Sequence, residues 1–150
     1  MKTAIIFYSG HHGNTGKLID RLTAEHDIAA IDAAAEKSID LSEYDLIGFA
    51  SGIYYSGFHK TVLEFAKQNL PQGKNVFFLF TCGMKKKGYT KAIRETVSGR
   101  GAQILGEYGC RGFDTFGPFR LIGGIAKGHP DKEELDGAAE FYRQIIQDIR

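Results

Sequence analysis

The sequence predicts an α/β fold in which five short strands form a parallel sheet covered by helices on both faces. Three observations lead there. Short apolar, partly β-branched runs recur along the chain, each closed by turn residues. Between them lie stretches with apolar residues at helical spacing. The 150 residues show no internal repeat, low-complexity tract or linker, so one domain over 1–150 is expected. Strands that alternate with helices join through right-handed crossovers, and those connections make the sheet parallel.

Lys2–Tyr8 reads as the first buried strand, stopped by Ser9-Gly10. Asn14–Glu25 follows as a helix with Leu18, Ile19 and Leu22 on one face. Ile28–Ile31 is a brief second strand, and Ala33–Leu41 is a polar connection without a pattern of its own. Tyr44–Ala50 is the third strand. Lys60–Asn69 is a helix carrying Val62, Leu63, Phe65 and Ala66, ended by Leu70-Pro71. Asn75–Thr81 is the most apolar strand, and Tyr89–Ser98 is a helix closed by Gly99. Ala102–Tyr108 is the fifth strand. The last helix, Asp131–Ile149, follows Pro130 and opens with Asp131 and Glu134 at capping-box spacing.

Hydrophobic residues at 43% and charged residues at 25% exclude a disordered chain and a coiled coil. No run approaches the roughly 20 apolar residues that span a bilayer. The apolar start, Thr3–Tyr8, is too short for a signal segment, so a cytoplasmic protein is expected. A net charge of +1 argues against a nucleic-acid binder driven by phosphate neutralisation. Cys82 and Cys110 lack CxxC spacing and suit a reducing compartment.

In such sheets, ligands bind beyond the carboxyl ends of the strands, where strand order reverses. That directs attention to three loops: Ser9–Thr15, Ser51–Phe58 and Thr81–Gly88. The first joins a buried strand to a helix N-terminus, where unpaired backbone N–H groups and the helix dipole favour an anion. The plain structural alternative is a tight turn with Asn14 or Thr15 as helix cap. A P-loop is excluded: Gly16-Lys17 is followed by Leu18, and His11 stands five before Gly16. A dinucleotide fingerprint is excluded because Gly10, Gly13 and Gly16 give GxxGxxG, although Asp32 is the acid that motif would use. A phosphoacceptor receiver would need acids where Ser9-Gly10 and Ala50-Ser51 stand. His11 and His12 make a poor metal site, since adjacent residues rarely chelate one ion and the loop holds no Cys, Asp or Glu.

What remains resembles the flavodoxin family. Gly13-Asn14-Thr15 matches the end of that family's phosphate motif, [ST]-x-T-G-N-T, and Ser9 or Gly10 matches its start. His11 and His12 stand where the family usually has threonines. Ser51-Gly52-Ile53-Tyr54 and Cys110-Arg111-Gly112-Phe113-Asp114 extend the likeness over essentially the whole chain. The resemblance implies a flavodoxin-like doubly wound sandwich with a five-stranded parallel sheet in the order 2-1-3-4-5. It implies FMN as cofactor, its phosphate held by neutral donors of Ser9, Gly10, His11, His12, Gly13, Asn14 and Thr15. The second loop, Ser51, Gly52, Ile53, Tyr54, Tyr55 and Ser56, would meet the flavin ring, with Tyr54 or Tyr55 stacking and Ile53 on the inner face. Thr81, Cys82, Gly83 and Met84 would meet the pyrimidine edge. Many members have a glycine that turns its peptide toward the reduced ring; Tyr54 stands in that register here, with Gly52 and Gly57 as alternatives.

Cys82 reads as a small buried apolar residue. Lys85–Lys87 would ordinarily be a solvated run; near the ring they would steer acidic rather than basic redox partners. Cys110–Pro130, with Arg111, Phe113, Phe116, Phe119, Arg120 and Lys127, shows no clear element. It would cover the flavin or present a docking surface, and Leu121–Ile125 reads equally as a short core segment. The leading function implied is an electron-transfer flavoprotein that shuttles electrons between partner proteins. The alternative is an FMN-dependent quinone reductase or a protoporphyrinogen-type oxidase, whose corresponding segment Ser51–Phe65 resembles, especially in the Tyr55-Ser56-Gly57-Phe58-His59 run. That oxidase carries a longer insertion before its last strand, absent here. A third reading is a phosphate-binding module that has lost FMN.

Overall fold

A computed structural model describes residues 1–10, 13–114 and 121–149. The elements in chain order are β1 (Thr3–Tyr8), α1 (Asn14–Glu25), β2 (Ile28–Asp32), β3 (Leu46–Tyr54), β4 (Gly57–Phe58), α2 (Lys60–Asn69), β5 (Asn75–Cys82), α3 (Lys91–Ser98), β6 (Gln103–Arg111) and α4 (Lys132–Ile149). The parallel path is β2-β1-β3-β5-β6, the doubly wound order that the family resemblance implies, with β4 paired antiparallel to β3 outside that path.

Strand alternation builds two cores from one sheet. Ala4, Ile6, Phe49, Phe78 and Phe80 face one side, with Val62, Phe65, Ile93 and Val97 of α2 and α3. Ile5, Ala50, Phe77 and Leu79 face the other, with Leu18, Leu22, Ala138, Tyr142 and Ile145 of α1 and α4. Two cross-strand pairs seat a phenylalanine over a glycine: Phe77 on Gly48 between β5 and β3, and Phe80 on Gly109 between β5 and β6. A Cβ on Gly48 would lie 2.5 Å from the Phe77 ring, so the ring occupies a side chain's place.

Several boundaries depart from the sequence reading. β3 continues through Ser51–Tyr54, so the expected loop Ser51–Phe58 is a hairpin whose two-residue turn is Tyr55-Ser56. The reason is pairing: Tyr8 still opposes Ser51, Gly52 opposes Thr81, and β4 then takes Ile53 and Tyr54. β6 runs on to Arg111 because Phe80, Thr81 and Cys82 supply ladder partners beyond Tyr108. Within Cys110–Pro130, Asp114 and Ile125 form an antiparallel bridge with N–H···O distances of 2.9 and 2.8 Å. Leu121 and Ile122 are 87% and 73% exposed, so Leu121–Ile125 is not a core segment. Phe116, Phe119 and Arg120 lie outside the described residues, as do His11 and His12. The capping box of α4 forms as expected: Glu134 N donates to Asp131 Oδ1 at 2.9 Å, and Asp131 N donates to Glu134 Oε1 at 3.0 Å. Among the described residues, no helix is long and apolar enough to cross a membrane.

Candidate functional site

The carboxyl ends of β1, β3 and β5 lie side by side, which brings the three sequence loops together. An inner cleft there is lined by Ser9, Gly10, Asn14, Thr15, Gly52, Ile53, Tyr54, Thr81, Cys82, Gly83, Phe113 and Asp114. Its enclosed part is about 40 Å³, and it shares Ile53, Cys82, Gly83 and Asp114 with an outer groove of about 390 Å³. Tyr55, Ser56, Met84, Lys86 and Tyr89 complete the groove's wall.

The first loop is built around helix-start chemistry. Gly13 takes the N-cap place of α1 at φ 66°, a left-handed conformation that suits glycine, and no side chain caps from there. Neither Asn14 nor Thr15 is the cap; both are buried within α1. Ser9 substitutes, its Oγ accepting from Gly16 N at 2.9 Å. Thr15 Oγ1 meets Thr81 Oγ1 at 3.0 Å. Asn14 Nδ2 donates to the carbonyl of Phe113 at 2.8 Å. That bond fixes the amide's orientation, because the reverse flip would set two acceptors against each other. Among the described residues, Asn14 Oδ1 is then buried without a hydrogen-bond partner, an arrangement that costs free energy unless a donor arrives. Among the described residues lining the inner cleft, none is a lysine or arginine.

The segment after β6 closes the cleft from the far side. Gly112 N donates to Cys82 O at 2.8 Å, and Arg111 Nε donates to Gly83 O at 3.2 Å. A Cβ on Gly112 would lie 2.7 Å from Asn14 Nδ2, so this close approach needs glycine. A Cβ on Gly83 would lie 2.7 Å from Asp114 Oδ2 and 2.8 Å from Ile125 Cδ1. Glu134 anchors the segment's end: its carboxylate accepts from Arg111 N at 3.0 Å and contacts the His129 ring. Burial opposes that charge, yet the Asp131 and Arg111 amides and the His129 ring outweigh it and hold the carboxyl below its ordinary range.

Beside the cleft, the Tyr8 and His59 rings stack at 3.8 Å and 9°, and Tyr54 stands edge-on to both. His59 caps α2 through Nδ1, which accepts from Thr61 N at 3.1 Å, so the ring's proton is on Nε2. Burial, then the charge of Lys60, push the His59 pKa below 6.5. Cys82 and Cys110 are free and buried on opposite faces of the sheet. Burial raises their thiols to about 11 and about 12, so neither is a reactive thiolate at neutral pH.

Of the sequence-predicted site residues, ten line the inner cleft: Ser9, Gly10, Asn14, Thr15, Gly52, Ile53, Tyr54, Thr81, Cys82 and Gly83. Tyr55, Ser56 and Met84 line the outer groove. Ser51 lines neither: its Oγ accepts from His59 N at 3.0 Å and donates to Gly52 O. Tyr54, in the register of the family's turning glycine, stays in the β3–β4 ladder, and positive φ falls on Tyr55 (51°) and Ser56 (67°). Gly52 and Gly57 are not positive-φ glycines. The sequence reading placed Phe113 and Asp114 in an unresolved stretch; the Gly112-Phe113-Asp114 run after a strand end was the available signal.

A flavodoxin-domain family profile matches residues 5–112, and the chain belongs to the flavodoxin family. It is 36% identical over 151 residues to an uncharacterized protein of Methanocaldococcus jannaschii, covering 98% of this chain and 99% of that one. Among solved structures it is similar to oxidised flavodoxin 2 from Bacillus cereus, with a TM-score of 0.68, 16% identity and 99% of each chain covered. It is also similar to general stress protein 14 from Treponema denticola in complex with FMN, with a TM-score of 0.65, 12% identity and 100% of each chain covered. At those identities the solved structures speak for the fold.

Proposed function

We propose that this chain binds FMN in the cleft at the ends of β1, β3 and β5 and serves as an electron-transfer protein between redox partners. The observation that carries the reading is the neutral polar lining of the inner cleft. Asn14 and Thr15 of the first turn of α1, the Thr15–Thr81 hydroxyl pair and Asn14 Oδ1, buried and unpartnered among the described residues, belong to that lining, and no lysine or arginine does among those residues. A helix N-terminus with neutral donors suits a phosphate monoester. The orphaned Asn14 Oδ1 suits a hydroxyl donor such as those of a ribityl chain. The outer groove, at about 390 Å³ with Ile53, Tyr55, Met84 and Tyr89 on its wall, has the size and apolar-aromatic lining of a planar-ring site.

Bound FMN would supply reversible electron uptake. The chain's own residues would hold its phosphate at Ser9–Thr15, flank its ring with Ile53, Tyr54, Tyr55 and Met84, and keep water from its inner side with Phe113 and Gly83. The test is an absorbance titration of the purified chain with FMN, followed by steady-state assays with quinones. One FMN per chain with negligible quinone turnover is expected. Failure to take up FMN overturns the reading, and rapid quinone turnover overturns the carrier role in favour of a reductase.

A further inference from the structure

We infer that the rim of the outer groove is a docking face for a small acidic redox protein. This rests on the cofactor reading above. Two independent features mark the face. Apart from Met1, the large apolar side chains exposed among the described residues are Tyr55, Met84, Leu121 and Ile122, at 89%, 48%, 87% and 73%. Tyr55 and Met84 stand on the groove itself. Leu121 and Ile122 lie within four residues of Ile125, which packs with Asp114 against Gly83. Two large exposed apolar side chains, Tyr55 and Met84, on one groove mark an interaction site rather than ordinary surface.

The second feature is charge. Lys85, Lys86 and Lys87 follow Met84 directly, and among the described residues none of them forms an ion pair. Lys86 also borders the outer groove. With Lys87, Lys91 and Arg94 it borders a second groove of about 560 Å³ above Phe80. The acids on this face are Glu107, held by Arg94 and Thr90, and Asp114, set against Gly83. Among the described residues, five cations against two acids leave the face positive on a chain whose net charge is only +1. An apolar centre with a cationic rim is complementary to a protein presenting an apolar patch ringed by carboxylates. Nucleic acid is disfavoured because a groove set with Tyr55, Met84 and Ile53 offers apolar contact instead of a phosphate-tracking stripe. A bilayer is disfavoured because Tyr55 and Met84 line a concavity instead of projecting from one helix face.

The experiment is a binding titration of the FMN-loaded protein against an acidic ferredoxin, at 20 mM and 500 mM NaCl. FMN content is read by absorbance before the partner is added. Lys85→Gln with Lys86→Gln and Lys87→Gln is expected to raise Kd about tenfold at low salt and less than twofold at high salt. Met84→Gln should raise Kd about threefold with the salt dependence retained. A chain that holds FMN while the triple variant binds the ferredoxin as tightly as the original overturns the docking face alone. So does tighter binding of a basic cytochrome c, or a lysine-dependent affinity for vesicles containing phosphatidylserine that the ferredoxin does not match. A chain that takes up no FMN overturns the cofactor reading first, and is recognised by its spectrum.

Discussion

The hydroxyls of Thr15 and Thr81 meet at 3.0 Å, joining the start of α1 to the end of β5 inside the cleft. Two hydroxyls carry two protons, and one lies between them. The pair therefore keeps one proton for a further acceptor, matched to an anion at the helix start. Thr15→Ala should remove a hydrogen bond to a charged acceptor, worth about 1.5–3 kcal/mol, or roughly ten- to a hundredfold in FMN affinity. Riboflavin, which lacks the phosphate, should lose much less. Fluorescence titrations with both ligands check this, and equal losses would place the phosphate elsewhere.

Tyr55 and Ser56 turn the β3–β4 hairpin at φ 51° and 67°. Two positive φ values in a two-residue turn are the geometry that Asn-Gly adopts most easily, and an L-residue pays about 1–2 kcal/mol for the left-handed region. Replacing Tyr55→Asn together with Ser56→Gly should raise the thermal midpoint by about 2–8 °C. Calorimetry of the ligand-free chain measures it. A lowered midpoint would show that the Tyr55 side chain contributes more than the backbone strain costs.

His59 provides a pH signature. Its folded pKa lies below its unfolded value of 6.5, so folding favours the neutral ring. The resulting stability is complete above pH 6.5 and is lost as pH falls through the folded pKa. His59→Asn keeps a cap acceptor for Thr61 N and removes the titration. Urea midpoints from pH 8 to pH 5 should fall more steeply for the original chain than for this variant; parallel curves would contradict the assignment.

Phe80 covers Gly109 on the edge strand β6. Gly109→Ala should force the ring aside and cost about 1–3 kcal/mol, with Phe80→Leu in the same chain recovering part of the loss. Urea denaturation of the single and double variants checks the coupling. Additive losses would mean that the ring and the glycine do not share one space.

The strands and helices were legible because apolar runs such as Asn75–Thr81 and helical faces such as Val62–Ala66 carry their periodicity in the residues themselves, whereas the strand order followed from the resemblance to the flavodoxin family. The first cleft loop was legible for the same reason: Gly13-Asn14-Thr15 follows a strand and opens a helix. The β3–β4 hairpin was not, because Tyr55-Ser56 holds neither glycine nor asparagine, and long-range pairing imposes a turn that local propensity disfavours. Asn14's bond to the Phe113 carbonyl was also invisible, since it spans 99 residues and depends on Gly112 leaving room. The bonds of the Ser51 hydroxyl to His59 N and to the Gly52 carbonyl were likewise invisible, since the first spans the hairpin.

The central claim is that FMN occupies the cleft at the ends of β1, β3 and β5. Backbone amide chemical shifts of the isotope-labelled chain, followed by NMR as FMN is added, test it most directly. The account predicts that the largest shifts fall on Ser9–Thr15, Gly52–Tyr55 and Thr81–Met84, together with Gly112–Asp114, while amides at the opposite ends of the strands, such as Thr3, Leu46 and Asn75, stay in place. Shifts confined to other surfaces, or none at stoichiometric FMN, would contradict it.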